Sequence, residues 1–213
     1  MDGLVSNFAL MAGVAGGTAA ADAGGRTAVV LAGLAGLAAG AFSMAAGEYT
    51  SVASQAELAE QEFENERLEL RRNAEGEAKE LAQIWVSRGV DQDLAERMAE
   101  QLGRNPDAAL EVHAREELGM APGELPNPWL AAGSSFLAFA VGALVPLVPY
   151  LFGAQSLVAS AVLSVIGLFL AGVLVSQVTA RSWLFSGTRQ LIVGVLAAVV
   201  TYGVGHVVGS TLG

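Results

Sequence analysis

Met44 and Glu48 stand four residues apart near the end of a long apolar run. On a helix that spacing puts a thioether and a carboxylate on one face, about one turn apart. A thioether is a soft ligand, so its presence beside a carboxylate disfavours hard ions such as Mg2+ and Ca2+ relative to softer transition-metal ions. Asp2 opens the first apolar run of the chain. Ionisable groups in apolar segments are costly and usually face a water-filled path or a partner. Each of the three also has an ordinary reading: Asp2 as the N-cap of its helix, Met44 as packing, Glu48 as a headgroup-level residue.

A second set of ligating groups lies further along. Glu62, Glu66 and Glu69 are spaced i, i+4, i+7, which places three carboxylates on one helix face. Glu77 and Glu80 repeat the pattern one helix later, and His113 and Glu117 stand at i, i+4. Stacked like charges repel unless a cation lies between them. Carboxylates suit hard and borderline divalent ions, and imidazole adds a preference for transition metals. Carboxylates and a histidine on facing helices are also the parts of a di-iron bundle. The alternative is a solvated acidic face neutralised by Arg67, Arg71, Arg72 and Lys79.

These groups need elements to carry them. Of 213 residues 53% are hydrophobic, and the charges are unevenly spread. Residues 3–21, 27–47 and 125–180 carry none, and residues 190–213 hold only His206 as a titratable side chain. About 20 apolar residues span the hydrocarbon core of a bilayer. Five spans are expected, at about 3–21, 28–50, 127–150, 156–179 and 189–211. The first has no basic flank and reads as a retained helix rather than a signal peptide. Glycines at three- and four-residue spacing in spans one, two and five allow close helix packing, within one bundle or across a homodimer seam through span one. Pro146 and Pro149 in "LVPLVPY" kink span three, as a gate or at its end, and the carbonyls they free need partners.

Nineteen of the 21 acidic residues fall between Glu48 and Glu124, and eight of the 11 basic ones lie there too. With Arg181 and Arg189 on the same side, the positive-inside rule makes that side cytoplasmic, the N-terminus inside and the C-terminus outside. No Gly or Pro interrupts residues 52–72, so span two is expected to run on as one long helix. Further helices are expected over about 75–87, from an Asp91 cap to 102, and from Pro106 to before Gly119. "MAPGELPNP" then links back to the membrane. The expected fold is an all-α membrane protein: five transmembrane helices in 1–51 and 125–213, with a cytoplasmic helical metal-binding insert, 52–124, between helices two and three.

The exclusions narrow the function. With no cysteine there is no disulfide or thiolate site. A net charge of −10 argues against nucleic acid. No phosphate-binding glycine loop, Ca2+ loop, H-E-x-x-H or local catalytic triad signature is present, so an enzyme or an ATP-driven pump is not expected.

"DGLVSNFALMAGVAGG" in span one and "GLAGLAAGAFSMAAGEYTSVASQAE" in span two closely resemble the vacuolar iron transporter family, including its bacterial members. The likeness continues through "ELGM" and "GALVPLVPY" and so covers essentially the whole chain. It implies a dimeric five-span pore that exchanges Fe2+ for protons and moves iron out of the cytosol, with Mn2+, Zn2+ and Co2+ as further cargo and no permanent cofactor. It implies a bacterial plasma membrane as the location. Asp2 matches the family's span-one aspartate and Met44 its span-two methionine, both in the transport path. Glu66, Glu69, Glu77, Glu80 and Glu117 match glutamates of its cytoplasmic domain. Three departures stand out. Gly36 occupies the place of a plant-type glutamate, for which Glu48 is the expected substitute. His113 lies near a plant-type methionine. The amphipathic segment usual before the "DG" pair is not in this sequence. In the resulting scheme metal gathers on the insert, then passes Glu48, Met44 and Asp2, while protons and metal compete for the same carboxylates. The rival readings are a Mn2+ exporter of the same design, a membrane-anchored ferritin-like iron-binding or ferroxidase protein, and a structural membrane protein with no metal site.

Overall fold

The computed structural model describes residues 1–20 and 25–212, so residue 21, the end of the first expected span, lies outside the described residues. Its helices are α1 (Asp2–Ala20), α2 (Gly25–Arg72), α3 (Ala74–Ser87), α4 (Gln92–Gly103), α5 (Pro106–Glu117), α6 (Pro128–Leu151), α7 (Leu157–Ser176) and α8 (Trp183–Leu212). No strand occurs among the described residues. The chain divides into two compact units, one of Met1–Glu48 with Leu130–Gly213 and one of Tyr49–Trp129.

In the first unit α2, α6, α7 and α8 are each long and apolar enough to cross a membrane. Many of their large apolar side chains are exposed, among them Leu31, Leu137, Val141, Val158, Leu174 and Val199. Helices that turn leucine and valine outward bury them in lipid, and the protein is an integral membrane protein. α1 is 19 residues long and rich in small side chains. Its glycines meet α8 of the same chain: a Cβ on Gly205 would run into the Gly13 carbonyl, and one on Gly209 into that of Gly17. The α1 glycines Gly13, Gly16 and Gly17 therefore serve close packing against α8 within one chain.

Small cores tie the other helices together. Met11, Val29, Leu147 and Tyr150 form one, Phe8, Ala12 and Ala198 a second, and Ala41, Phe139 and Ala143 a third. Pro146 and Pro149 both lie inside α6. The carbonyl three residues before each accepts a side-chain hydrogen bond from a neighbour: Asn7 Nδ2 to Ala143 O at 2.7 Å and Ser160 Oγ to Pro146 O at 2.6 Å. Both donors are buried. These bonds tie α1 and α7 to the proline-containing turns of α6, one residue beyond the Gly142 and Val145 carbonyls that the prolines deprive of a donor. Arg26 likewise donates to Tyr150 O at 2.8 Å and Ala154 O at 3.2 Å, near the C-terminus of α6.

In the second unit, α3–α5 end within a residue or two of where the sequence places them. Asn73, Asp91 and Asn105 accept hydrogen bonds from backbone N–H groups at the three helix starts, and Pro106 sits at the first turn of α5. Gly89 adopts φ 96° just after α3, a left-handed conformation that costs glycine little. Leu81, Ala82, Ala95 and Ala99 make the core, with Trp85, Leu102 and Val112 against it.

Candidate metal site

α2 brings Glu66 into the second unit and α5 brings His113 opposite it. His113 is 1% exposed and Glu66 8%. The histidine Nδ1 lies 3.0 Å from Glu66 Oε1, 3.2 Å from Glu117 Oε1 and 4.0 Å from Glu77 Oε2. Nδ1 is hydrogen-bonded to Glu117. Glu66 Oε1 is buried without a well-aligned hydrogen bond; its contact at 3.0 Å is the same His113 Nδ1 that is hydrogen-bonded to Glu117. One ring nitrogen cannot satisfy both carboxylates, and a bound cation would.

Two sets of ligand atoms converge here, Glu66 with His113 and Glu117, and Glu66 with Glu69 and Glu77, each within 4.8 Å of one another. The first offers one nitrogen and two carboxylates, the second three carboxylates, and Glu66 belongs to both. Glu66, Glu77 and His113 are buried, whereas Glu69 and Glu117 are exposed and open the groups to water. Glu62 is not in either set; it lines a groove with Asn65, Glu66, Glu69, Arg72 and Glu117. Glu80 is exposed and belongs to neither set, acting on Glu77 through its charge.

The basic residues do not neutralise this cluster. Arg67 pairs with Glu64, Lys79 with Glu75, Arg88 with Glu116, and Arg115 with Glu111 and Glu124. Among the described residues no lysine or arginine forms an ion pair with Glu66, Glu69, Glu77 or Glu117. A solvated face paired with arginines describes the neighbours of the cluster and not the cluster itself.

Its electrostatics follow. Burial, then the charge of Glu117, raises the Glu66 carboxyl from 4.5 to about 7, with His113 pulling the other way. Burial and the charge of Glu80 also raise Glu77. The folded protein therefore holds a proton on Glu66 between about 4.5 and 7, where the unfolded chain has released it. For this group the metal-free fold is favoured at low pH, and that contribution is lost as pH rises through about 7. Glu66→Gln should accordingly raise the melting temperature of the metal-free protein at pH 8 more than at pH 5. Equal shifts at both pH values in a thermal melt would contradict this. Metal needs the deprotonated form, so affinity at these groups should rise as pH increases through 7.

The first unit holds the other predicted residues. Asp2 and Met44 line one cavity, together with Ser6, Asn7, Gly36 and Phe139. Asp2 is not the N-cap of α1. Met1 O accepts the first helical N–H bonds, from Leu4 and Val5, and Asp2 Oδ1 accepts the Ser6 hydroxyl at 2.9 Å. A carboxylate that does not cap its helix keeps oxygens for the cavity. Met44 is 37% exposed. Glu48 lies one turn on along α2, exposed, and is not among the residues lining this cavity. The residue that motif reading missed is Asn7, although a lone asparagine in an apolar run is itself a signal of interhelical hydrogen bonding.

The chain matches the VIT family over residues 1–206. It belongs to that family. It is similar to the vacuolar iron transporter of Acanthamoeba castellanii, at 39% identity over 83% of this chain and 68% of the relative. It is similar also to vacuolar iron transporter 1 of Eucalyptus grandis, at 32% identity over 98% of this chain and 83% of the relative. Vacuolar iron transporter 1 of Arabidopsis thaliana is 32% identical over 97% and 82%. In this VIT-family chain the ligating groups thus fall into two sets, a carboxylate–imidazole cluster in Tyr49–Trp129 and a carboxylate–thioether cavity in the apolar unit.

Proposed function

We propose that this VIT-family protein is a divalent metal transporter that moves Fe2+ out of the cytosol in exchange for protons. One observation carries most of the weight: a carboxylate and a thioether line one cavity among apolar helices. A protein that merely anchored an iron-binding domain would have no use for a soft ligand there. The cluster around Glu66 supports a collecting role, since its carboxylates lack basic partners and two of them are open to water. The names of the relatives support iron as the cargo. In this reading α1 makes a further span beside α2, α6, α7 and α8, the N-terminus and residues 52–124 are cytoplasmic, and the C-terminus is outside. The Arg- and Lys-rich segments support that orientation.

Coupling arises because each carboxylate holds either a proton or the ion. Glu66 supplies the scale: with its carboxyl near pH 7, small pH changes around neutrality shift the competition. The test is Fe2+ uptake into sealed proteoliposomes with an imposed pH gradient. Flux should rise when the trans side is acid, and acidification should be relieved as metal enters. Flux indifferent to the gradient would remove antiport from the reading. Oxygen-dependent Fe2+ oxidation with no flux would replace it by the anchored ferroxidase. Mn2+ competing out Fe2+ at equal concentration would favour the manganese exporter.

A further inference from the structure

Asn7 of α1 is 2% exposed, and its amide has two ends of opposite chemistry. Nδ2 donates to Ala143 O at 2.7 Å, three residues before Pro146 in α6. Only the nitrogen can donate to a carbonyl, so this bond decides which way the amide points. Oδ1 is left buried without a hydrogen-bond partner. It faces the bare Cα of Gly36, since a Cβ added there would lie 2.7 Å from it and 2.6 Å from Leu10 Cδ2. Asn7 and Gly36 line the same cavity as Asp2 and Met44. An orphaned acceptor in an apolar unit calls for an explanation, and next to a carboxylate and a thioether the one that satisfies it is a cation.

We infer that Asn7 Oδ1 is a third ligand for a divalent cation in the cavity of Asp2 and Met44, aimed there by the amide's own bond to the Ala143 carbonyl of α6. The inference rests on the reading that this cavity lies on the metal path. An amide oxygen adds coordination without adding charge. With Asp2 as the charged ligand among the three, a divalent ion is incompletely neutralised, which suits a site that must release its cargo as well as bind it. A side chain at residue 36 would press on this oxygen, and glycine leaves that place free.

The test uses the full-length chain carrying Glu66→Gln, so that the ligand groups of the second unit are silenced, and Co2+ as the probe, followed by its visible absorption in detergent. One class of Co2+ site is expected to remain. Asn7→Leu should weaken it at least tenfold. Gly36→Ala should weaken it severalfold, because it crowds Oδ1 while leaving the Nδ2 bond to Ala143. Asn7→Asp, which keeps a ligand oxygen but loses the bond to Ala143, should bind Co2+ more tightly than Asn7→Leu. If Asn7 only holds the Ala143 carbonyl of α6, Gly36→Ala binds Co2+ normally and Asn7→Asp is as damaging as Asn7→Leu; that pattern overturns the inference. Absence of any remaining Co2+ site overturns it too. Fe2+ flux in vesicles separates the two layers. Asn7-dependent binding without flux in the parent chain leaves the ligand standing and removes transport, whereas flux with Asn7-independent binding removes the ligand and leaves transport.

Discussion

Glu66→Ala is expected to abolish both ligand groups of the second unit at once, because Glu66 is the one carboxylate they share. Measured by titration calorimetry with Fe2+ under anaerobic conditions, affinity should fall at least about tenfold, or about 1.4 kcal/mol. Glu69→Ala or His113→Ala should each damage one group and leave the other. Glu62→Ala and Glu80→Ala should stay close to wild type, since neither side chain is in a converging set. A thermal melt of the metal-free variant separates this loss from misfolding. Burial and the charge of Glu117 make the ionised Glu66 unfavourable in the metal-free fold, so removing it should stabilise that fold at neutral pH. Wild-type affinity in Glu66→Ala would show that metal is held elsewhere.

The second large effect is expected in the apolar unit. Asp2→Ala and Met44→Ala should each lower Fe2+ flux by about tenfold or more, a cost of at least about 1.4 kcal/mol in the barrier to passage. Binding to the second unit should be unchanged, because the substituted side chains belong to the other unit. Asp2→Asn is the informative control. It keeps an oxygen to accept the Ser6 hydroxyl but loses the charge. If its flux matches Asp2→Ala, the charge is what the ion needs; if it matches wild type, Asp2 serves only to hold Ser6. Met44→Ala should also narrow the discrimination between Fe2+ and Mg2+, since the soft ligand is gone. An unaltered preference in a mixed-metal flux assay would place selectivity elsewhere.

Much of the helical pattern was legible in the residues. Charge-free stretches marked the apolar helices, the lack of Gly and Pro over residues 52–72 marked the continuity of α2, and Asp91, Pro106 and Gly119 marked helix ends. These signals are local, and each is set by groups a few residues apart. The spacing of Glu62, Glu66 and Glu69 likewise put three carboxylates on one face. It could not say which of them would be drawn inward, because that depends on α5 bringing His113 and Glu117 opposite Glu66.

The same division runs through the apolar unit. Residue types alone determined that a carboxylate, a thioether and two prolines would sit in or beside apolar helices. Only the tertiary structure decided that Asp2 and Met44, 42 positions apart, line one cavity, that the α1 glycines meet α8, and that Asn7 turns its nitrogen to the Ala143 carbonyl of α6 and its oxygen to Gly36. The physical reason is range. Propensity, capping and periodicity act within a few turns of helix, whereas a ligand set is made by helices distant in sequence, and its members are chosen by which side chains the packing leaves without other partners.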